Sequence, residues 1–179
     1  CPKNDFAKGR AFGNADLMHK VNTPPSMLSV AESEPLAFDQ WMSKKGQLHD
    51  LYPNRILYSE FLEETYNDIK FSEQLSITEF QSLADNVYRI SNGYKIVGPE
   101  FEITAEQVVL CLGSLHGSNF PDLLNQQGFH TDFSSFQTVP EGDIIVAGTG
   151  LTAVDALRSL STNPNRVIHL FSRHGLPPT

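Results

Sequence analysis

Apolar residues alternate with polar ones between Leu75 and Leu112, which is the spacing of strands. The alternation predicts antiparallel strands at residues 77–80, 87–90 and 94–97. Asn92-Gly93 separates the last two strands and is typical of a two-residue hairpin turn. A continuous apolar run over residues 108–112 predicts a further strand that is buried on both faces. The pattern therefore indicates a surface meander that leads into a core strand.

Helical spacing occurs in two earlier stretches. Residues 56–68 are predicted to be a helix, because apolar residues recur every three or four positions and glutamates occupy the other side (Ile56, Leu57, Phe61, Leu62 and Tyr66 against Glu60, Glu63 and Glu64). A short helix is predicted over residues 38–42, and it carries Trp41. Glycine and proline punctuate the rest of residues 1–40 and all of residues 113–140, so we expect irregular structure there.

The C-terminal stretch changes pattern again. Residues 144–147 form an apolar run of the length of a buried parallel strand, and residues 148–153 spell Gly-Thr-Gly-Leu-Thr-Ala. Apolar positions then recur at helical spacing until Asn163-Pro164-Asn165, which is expected to end the helix. Residues 166–171 predict a second strand. The order strand, glycine turn, helix, strand is one βαβ unit, the context that gives a G-x-G-x-x-G/A pattern its meaning.

That turn predicts a dinucleotide site. Gly148 would permit the tight bend, Gly150 would let a pyrophosphate approach the backbone, and Ala153 would let the helix lie close to the strand. Free N–H groups at the start of the helix suit an anion. The predicted cofactor-binding residues of the turn are Gly148, Thr149, Gly150, Leu151 and Thr152. The alternative is a glycine-rich turn in an α/β protein that binds no nucleotide.

The end of the second strand indicates which dinucleotide binds. An NAD site usually has an Asp or Glu there for the ribose hydroxyls, whereas this chain has Ser172 and Arg173. A hydroxyl and a guanidinium suit a 2′-phosphate, so NADP(H) is favoured. The alternative is that Arg173 is a solvated loop residue.

Composition narrows the class of protein. The chain has 179 residues, 40% of them hydrophobic and 19% charged, which is typical of a soluble globular protein. The net charge of −8 argues against nucleic acid and anionic membrane as partners. The two cysteines suggest no disulfide framework, so a cytoplasmic location is expected. The six histidines lack metal-ligand spacing, so no metal site is predicted.

Several segments resemble a family of FAD/NAD(P)-binding proteins. Residues 9–13 (GRAFG), 21–29 (VNTPPSMLS) and 55–62 (RILYSEFL) are similar to segments that the family shows in this order, as is the pair Phe38 and Trp41. The stretches at residues 108–113, 148–155 and 172–178 resemble later segments of the same family. Ser59, where the family often has Gly, and Cys111-Leu112, in place of Ala-Thr, are departures.

The resemblance implies an α/β, two-dinucleotide-binding, Rossmann-like flavoprotein fold with an antiparallel β-meander. In it an FAD domain is interrupted by an NADPH domain, as in flavin monooxygenases. We assign residues 1–135 to part of the FAD-binding domain and residues 136–179 to the start of the NAD(P)H-binding domain. A first glycine-rich unit before Gly9 and a continuation after Thr179 would complete such a fold, so we expect the chain to be an internal fragment.

The resemblance also implies site residues for the flavin. Asn22, Thr23 and Pro24 would lie near the flavin ring, and Gly113 and Ser114 near its phosphates or ribose. The alternatives are that Asn22 is an ordinary turn residue and that Gly113 merely ends a strand.

Two charged residues lie near the starts of predicted helices. Arg55 either pairs with an acid or binds an anion, and Asp155 is expected to be structural, near a helix N-terminus that suits a carboxylate.

The function implied is part of an FAD- and NADPH-dependent oxidoreductase, in which hydride passes from NADPH to flavin. By analogy with the family, the product of that chemistry would be a hydroxylated small molecule. No catalytic residue can be assigned from the sequence, and the oligomeric state stays open. The alternative is a non-catalytic dinucleotide-binding or scaffold module.

Overall fold

The computed structural model of the chain describes residues 6–47, 50–112, 120–131, 139–173 and 175. It contains both helices and strands, as expected for the α/β class. The elements in chain order are α1 (Gly9–Gly13), α2 (Ala37–Lys44), α3 (Arg55–Lys70), β1 (Asn86–Ile90), β2 (Gly93–Gly98), β3 (Phe101–Ala105), β4 (Ile144–Ala147), α4 (Leu151–Leu160) and β5 (Ile168–Phe171), with 3-10 turns at Pro25–Met27 and Pro121–Leu123.

The chain divides into two compact units that interleave in sequence. The first unit comprises residues 1–10 and 62–115, and the second comprises residues 11–61 and 116–179. The division into residues 1–135 and 136–179 rests on the family pattern and stays a prediction.

The first unit contains the predicted antiparallel meander. Strands β1, β2 and β3 pair in the order β1-β2-β3, with Ile90 opposite Gly93 and Gly98 opposite Phe101. The hairpin between β1 and β2 is confirmed. Gly93 has a φ of 132°, a region that favours glycine. A Cβ there would collide with the carbonyl oxygen of Ala105 on the neighbouring strand.

The strand predicted at residues 77–80 is wrong, because this segment uses its side chains for other contacts. Glu79 accepts a 2.6 Å hydrogen bond from Tyr66 Oη and lies 2.8 Å from Lys70 Nζ. The Phe80 ring packs on Phe101 at 4.7 Å between centroids. The segment therefore lies in coil against α3 and β3, and the third strand of the meander is β3, which the alternation did not predict.

The buried strand predicted at residues 108–112 is also wrong. These residues lie outside the described strands, and the exposed fraction of the side chain is 84% for Val109, 64% for Leu110 and 73% for Leu112. A parallel core strand needs strand neighbours and covered faces. Within the described residues β1, β2 and β3 pair with one another, and β4 pairs with β5.

The second unit has an aromatic core around Phe38, which is fully buried. The ring of Tyr58 meets the Phe38 ring edge-on at 4.8 Å, and Phe61 and Trp41 pack on Phe38 at 5.3 and 6.0 Å between centroids. Edge-on and offset arrangements of this kind are favoured by the ring quadrupoles. The core fixes α2 against the first two turns of α3, and both predicted helices are confirmed. Ser59 is buried beside this core.

The βαβ unit is confirmed in the same unit of the chain. Strands β4 and β5 are parallel, with Ile144 opposite Ile168 and Ala147 opposite Phe171. The helix α4 ends at Leu160, three residues before the predicted breaker, and β5 begins at Ile168 rather than at residue 166. The expectation that β4 is fully buried is wrong: Ile145 is 69% exposed, because the face of β4 that it shares with Ala147 is not the one covered within the described residues.

Candidate functional site

The glycine turn joins β4 to α4 with the backbone geometry that the sequence predicts. Gly148 has a φ of 120°, a value that L-residues with a side chain rarely adopt. Gly150 is the N-cap of α4, with a φ of −80°, and its carbonyl accepts hydrogen bonds from the amides of Ala153 at 2.9 Å and Val154 at 3.2 Å. The turn is therefore tied to the first turn of the helix.

The space over the turn is open. A Cβ built on Gly148 or Gly150 would meet no heavy atom within 4 Å. The first amides of α4, those of Leu151 and Thr152, belong to a helix N-terminus, where no carbonyl from a preceding turn can accept their hydrogen bonds. Both side chains are exposed. An anion could therefore approach the backbone from solvent.

The end of β5 lies beside the turn. The amide of Gly148 donates a 2.7 Å hydrogen bond to the carbonyl of Phe171, the residue before Ser172. The Ser172 Oγ atom is buried and has no hydrogen-bond partner among the described residues. Arg173 is exposed in the turn that follows. The structure thus brings Ser172 and Arg173 to the same sheet edge as Gly148 and Gly150.

The predicted flavin residues Asn22, Thr23 and Pro24 lie in a loop of the second unit. Val21 before the loop and Pro25 after it are buried. The amide of Val21 donates a 2.9 Å hydrogen bond to the carbonyl of Pro53, and the carbonyl of Pro24 accepts one from Met27 at 2.9 Å.

Asn22 itself is exposed, and its Oδ1 accepts a 3.3 Å hydrogen bond from Thr23 Oγ1. The loop is therefore anchored at both ends and presents its polar groups outward. Gly113 and Ser114 lie outside the described residues.

Arg55, at the start of α3, has an acidic partner. Its Nη2 lies 2.8 Å from Asp155 Oδ2 on α4, and the side chains are 14% and 8% exposed. The distance is that of an ion pair, although Asp155 Oδ2 receives no aligned hydrogen bond from the described residues. Asp155 is the fifth residue of α4, beyond the first turn where a carboxylate would interact with the helix dipole. The contact that the structure gives Asp155 is therefore with Arg55, and its structural role stays a prediction.

His19 belongs to the same buried cluster, and sequence reasoning did not single it out. It is fully buried, its Nδ1 accepts a 3.0 Å hydrogen bond from the amide of Asp16, and its Nε2 lies 3.1 Å from Ser159 Oγ. An acceptor at Nδ1 places the ring proton on Nε2, which then donates to Ser159. No periodic pattern marks a histidine in a loop, so its burial was visible only in the tertiary structure.

The surroundings of His19 favour the neutral ring. Burial lowers the pKa of His19 below its ordinary 6.5, and the positive charge of Arg55 acts in the same direction. The carboxylates of Asp155 and Asp16 oppose this change and raise the pKa. The hydrogen bond from the Asp16 amide also requires an unprotonated Nδ1.

A cavity of about 390 Å³ lies at the opposite end of α4 from the glycine turn. Ser159 and Thr162 line it together with Asp16 and Arg166. No residue predicted to bind a cofactor contributes to its lining, so this cavity and the predicted nucleotide site are separate.

The described ranges contain neither a metal site nor a membrane-spanning helix. There, no group of three or more His, Cys, Asp or Glu side chains is arranged to hold a metal ion. In the same part of the chain, no helix has both the length and the apolar character needed to cross a membrane.

Comparison with known proteins bears on the N-terminal two thirds of the chain. The model of a family described as FAD-NAD(P)-binding matches residues 2–115. The search of curated proteins and the search of solved structures each gave no match. The matched range holds the Asn22 loop and Arg55, whereas the glycine turn and α4 lie beyond it. Because the match covers more than half of its residues, the chain belongs to the FAD-NAD(P)-binding family.

Proposed function

We propose that this chain is part of an FAD- and NADPH-dependent oxidoreductase, with NADP(H) bound at the glycine turn. Membership of the family supports FAD and NAD(P) as the cofactors. The observation that carries the proposal is the open backbone at Gly148 and Gly150, placed beside the end of a parallel strand that has no acidic residue. In α/β folds a ligand binds at this edge, beyond the carboxyl ends of the strands.

The residues present fit a dinucleotide carrying a 2′-phosphate. The amides of Leu151 and Thr152 would donate to the pyrophosphate, and the missing side chain of Gly150 leaves the room that this requires. Ser172 has a buried hydroxyl with no partner among the described residues, and buried polar groups normally have one. Ser172 and Arg173 would hold the 2′-phosphate, since a guanidinium forms charge-assisted hydrogen bonds to phosphate.

The flavin would lie against the Asn22 loop. Asn22 and Thr23 offer an amide and a hydroxyl on a segment fixed by the buried residues Val21 and Pro25, which suits the orientation of a planar polar ring. A bound flavin supplies two-electron redox chemistry, and the protein contributes placement and electrostatics. Residues 22–24 would orient the ring and need not ionise.

The finer parts of the proposal rest on the sequence. Hydroxylation of a small-molecule substrate follows from the resemblance to flavin monooxygenases. The net charge of −8 supports a protein that binds neither nucleic acid nor anionic membrane. The two cysteines, which suggest no disulfide framework, support a cytoplasmic location.

Calorimetric titration of the chain with NADP⁺, NAD⁺ and adenosine 2′,5′-bisphosphate tests the nucleotide site. We expect NADP⁺ and the bisphosphate to bind more tightly than NAD⁺, because only those two carry the 2′-phosphate. Equal affinity for NADP⁺ and NAD⁺ would contradict the assignment of Ser172 and Arg173. No binding of any of the three would contradict the nucleotide site itself.

Oxidation of NADPH in the presence of FAD, measured on the full-length protein that contains this chain, then separates an oxidoreductase from a non-catalytic module. Binding of NADP⁺ without any NADPH oxidation under these conditions would favour the non-catalytic module.

A further inference from the structure

Asp155 and Ser159 mark one face of α4. They are four residues apart, so their side chains lie one helical turn from each other on the same side of the helix. Asp155 pairs with Arg55 at 2.8 Å, and Ser159 contacts His19 Nε2 at 3.1 Å. Two polar contacts at different heights fix both the rotation of a helix about its axis and its position along that axis.

The two partners of α4 are also joined to each other. The amide of Arg55 donates a 2.9 Å hydrogen bond to the carbonyl of His19. Lys20 and Asn54 form an isolated antiparallel bridge, and Asn54 Oδ1 caps α3 by accepting a 2.7 Å hydrogen bond from the amide of Ile56. Residues 19–21 and the start of α3 therefore form one hydrogen-bonded bracket, defined here as residues 19–21 and 53–56.

The bracket reaches the glycine turn through α4. Ala153 and Val154, just before Asp155, donate their amides to the carbonyl of Gly150. A rotation of α4 about its axis would therefore turn Gly150 and redirect the amides of Leu151 and Thr152. Such a rotation would change the affinity for the nucleotide, because an anion site depends on the direction of its N–H groups.

We propose that Arg55 and His19 are positioning residues for the nucleotide site, because they hold α4 by Asp155 and Ser159 and so aim the amides of the glycine turn. The inference rests on the proposed function of that turn. The bracket lies inside the range matched by the FAD-NAD(P)-binding family, and α4 lies beyond it. The family-matched segment can therefore influence the glycine turn through its contacts with α4, without contacting the bound nucleotide.

The test compares two ways of removing the ion pair. Arg55→Met leaves Asp155 buried without its cation and should destabilise the chain. Arg55→Met combined with Asp155→Leu removes both charges, which restores much of the stability in proteins where such pairs were replaced. Asp50→Ala is the matched control, because it removes the exposed ion pair of Lys20 with Asp50 in the same unit and Asp50 lies outside the bracket.

If Arg55 has a positioning role, the double variant should recover stability without recovering its affinity for NADP⁺. We expect the double variant to unfold near the temperature of the wild type and still bind NADP⁺ about three- to thirtyfold more weakly, the range that remote coupling residues span. Ser159→Ala should weaken NADP⁺ binding as well, and Asp50→Ala should leave the NADP⁺ affinity unchanged. Recovery of wild-type NADP⁺ affinity together with stability in the double variant would overturn the proposal, since the pair would then be structural only.

Hydrogen exchange at the amide of Gly148 gives a readout that needs no nucleotide, because a turn of Gly150 would strain the 2.7 Å hydrogen bond from Gly148 to the carbonyl of Phe171. If the wild-type chain does not bind NADP⁺, the proposed function of the turn falls, and exchange still decides the positioning role. Faster exchange at the Gly148 amide in the double variant, with the amides inside α4 unchanged, supports positioning. Unchanged exchange at Gly148 overturns it.

Discussion

The amide of Gly148 donates a 2.7 Å hydrogen bond to the carbonyl of Phe171, which fixes the glycine turn to the end of β5. Because of this bond, the first residues after β5 cannot move away from the turn without losing a backbone hydrogen bond. Ser172 and Arg173 are these residues. A nucleotide whose pyrophosphate lay on the turn would therefore have its ribose close to a hydroxyl and a guanidinium.

Arg173 is predicted to select NADP(H). A hydrogen bond to a charged group contributes about 1.5–3 kcal/mol, so Arg173→Ala should weaken NADPH binding roughly ten- to hundredfold. NADH lacks the 2′-phosphate and should be little affected. Arg173 is exposed, so the effect should shrink as salt is added. Dissociation constants for both nucleotides, measured at low and moderate salt, check this.

Arg158→Ala is the matched control for that measurement, because Arg158 is an exposed arginine in the last turn of α4, away from the glycine turn. It should change neither constant. Equal losses for NADPH and NADH in Arg173→Ala would mean that Arg173 holds the fold or the shared pyrophosphate.

A side chain at position 150 should be compatible with the fold but should prevent nucleotide binding. Any residue can adopt the φ of −80° found at Gly150, and a Cβ would meet no heavy atom within 4 Å. The Gly150→Val variant should therefore unfold at a temperature close to that of the wild type. The valine would nevertheless occupy the space through which a pyrophosphate approaches the backbone, and NADP⁺ binding should be lost. Thermal unfolding and calorimetric titration of the same preparation separate the two effects. Unchanged NADP⁺ affinity would show that the turn is structural.

Breaking the buried ion pair should cost far more stability than breaking an exposed one. Asp155→Ala leaves Arg55 buried without a carboxylate, and losses of about 3–5 kcal/mol are typical of such a change. Asp50→Ala removes the partner of Lys20, a pair whose side chains are 38% and 48% exposed, and should cost less than about 1 kcal/mol. Urea denaturation of both variants gives the comparison. Similar losses in the two variants would contradict the burial argument.

His19 should make stability depend on pH. The pKa of His19 in the folded chain is below its ordinary 6.5, chiefly because burial disfavours the charged ring. As pH falls through 6.5 the unfolded chain takes up a proton that the folded chain does not, so the stability that is fully present above this pH decreases. The loss continues until the pH reaches the lower pKa of the folded state.

The measurement is the free energy of unfolding from about pH 8 to pH 5 for the wild type and for His19→Gln, which has no such titration. The wild type should lose more stability than the variant over this interval. Parallel curves for the two proteins would show that His19 has the same pKa in the folded and unfolded chain.

The βαβ unit could be predicted from the sequence because its signals are local. An apolar run, two glycines and a helical repeat each act within a few residues, and the structure places β4, the turn, α4 and β5 accordingly. An acidic partner for Arg55 could be expected from the sequence. It could not be identified as Asp155, because the two residues are 100 positions apart.

The errors have a common physical origin. The apolar runs at residues 108–112 and 144–147 indicate a tendency to be buried, but burial depends on which other segments cover them. Apolar and polar residues alternate over residues 77–80 as they do in a strand. Glu79 and Phe80 nevertheless make side-chain contacts rather than pairing as a strand. His19 was missed for the same reason, since nothing local shows that a loop histidine will be enclosed.

The exposed run that ends at Leu112 has a consequence for the behaviour of the chain in solution. Val109, Leu110 and Leu112 are each more than 60% exposed, and residues 108–112 contain neither charge nor proline. Uncharged segments with high β-propensity pair readily with copies of themselves when solvent reaches them. Self-association and loss of solubility should therefore begin in this segment, at concentrations where the aromatic core around Phe38 is still intact.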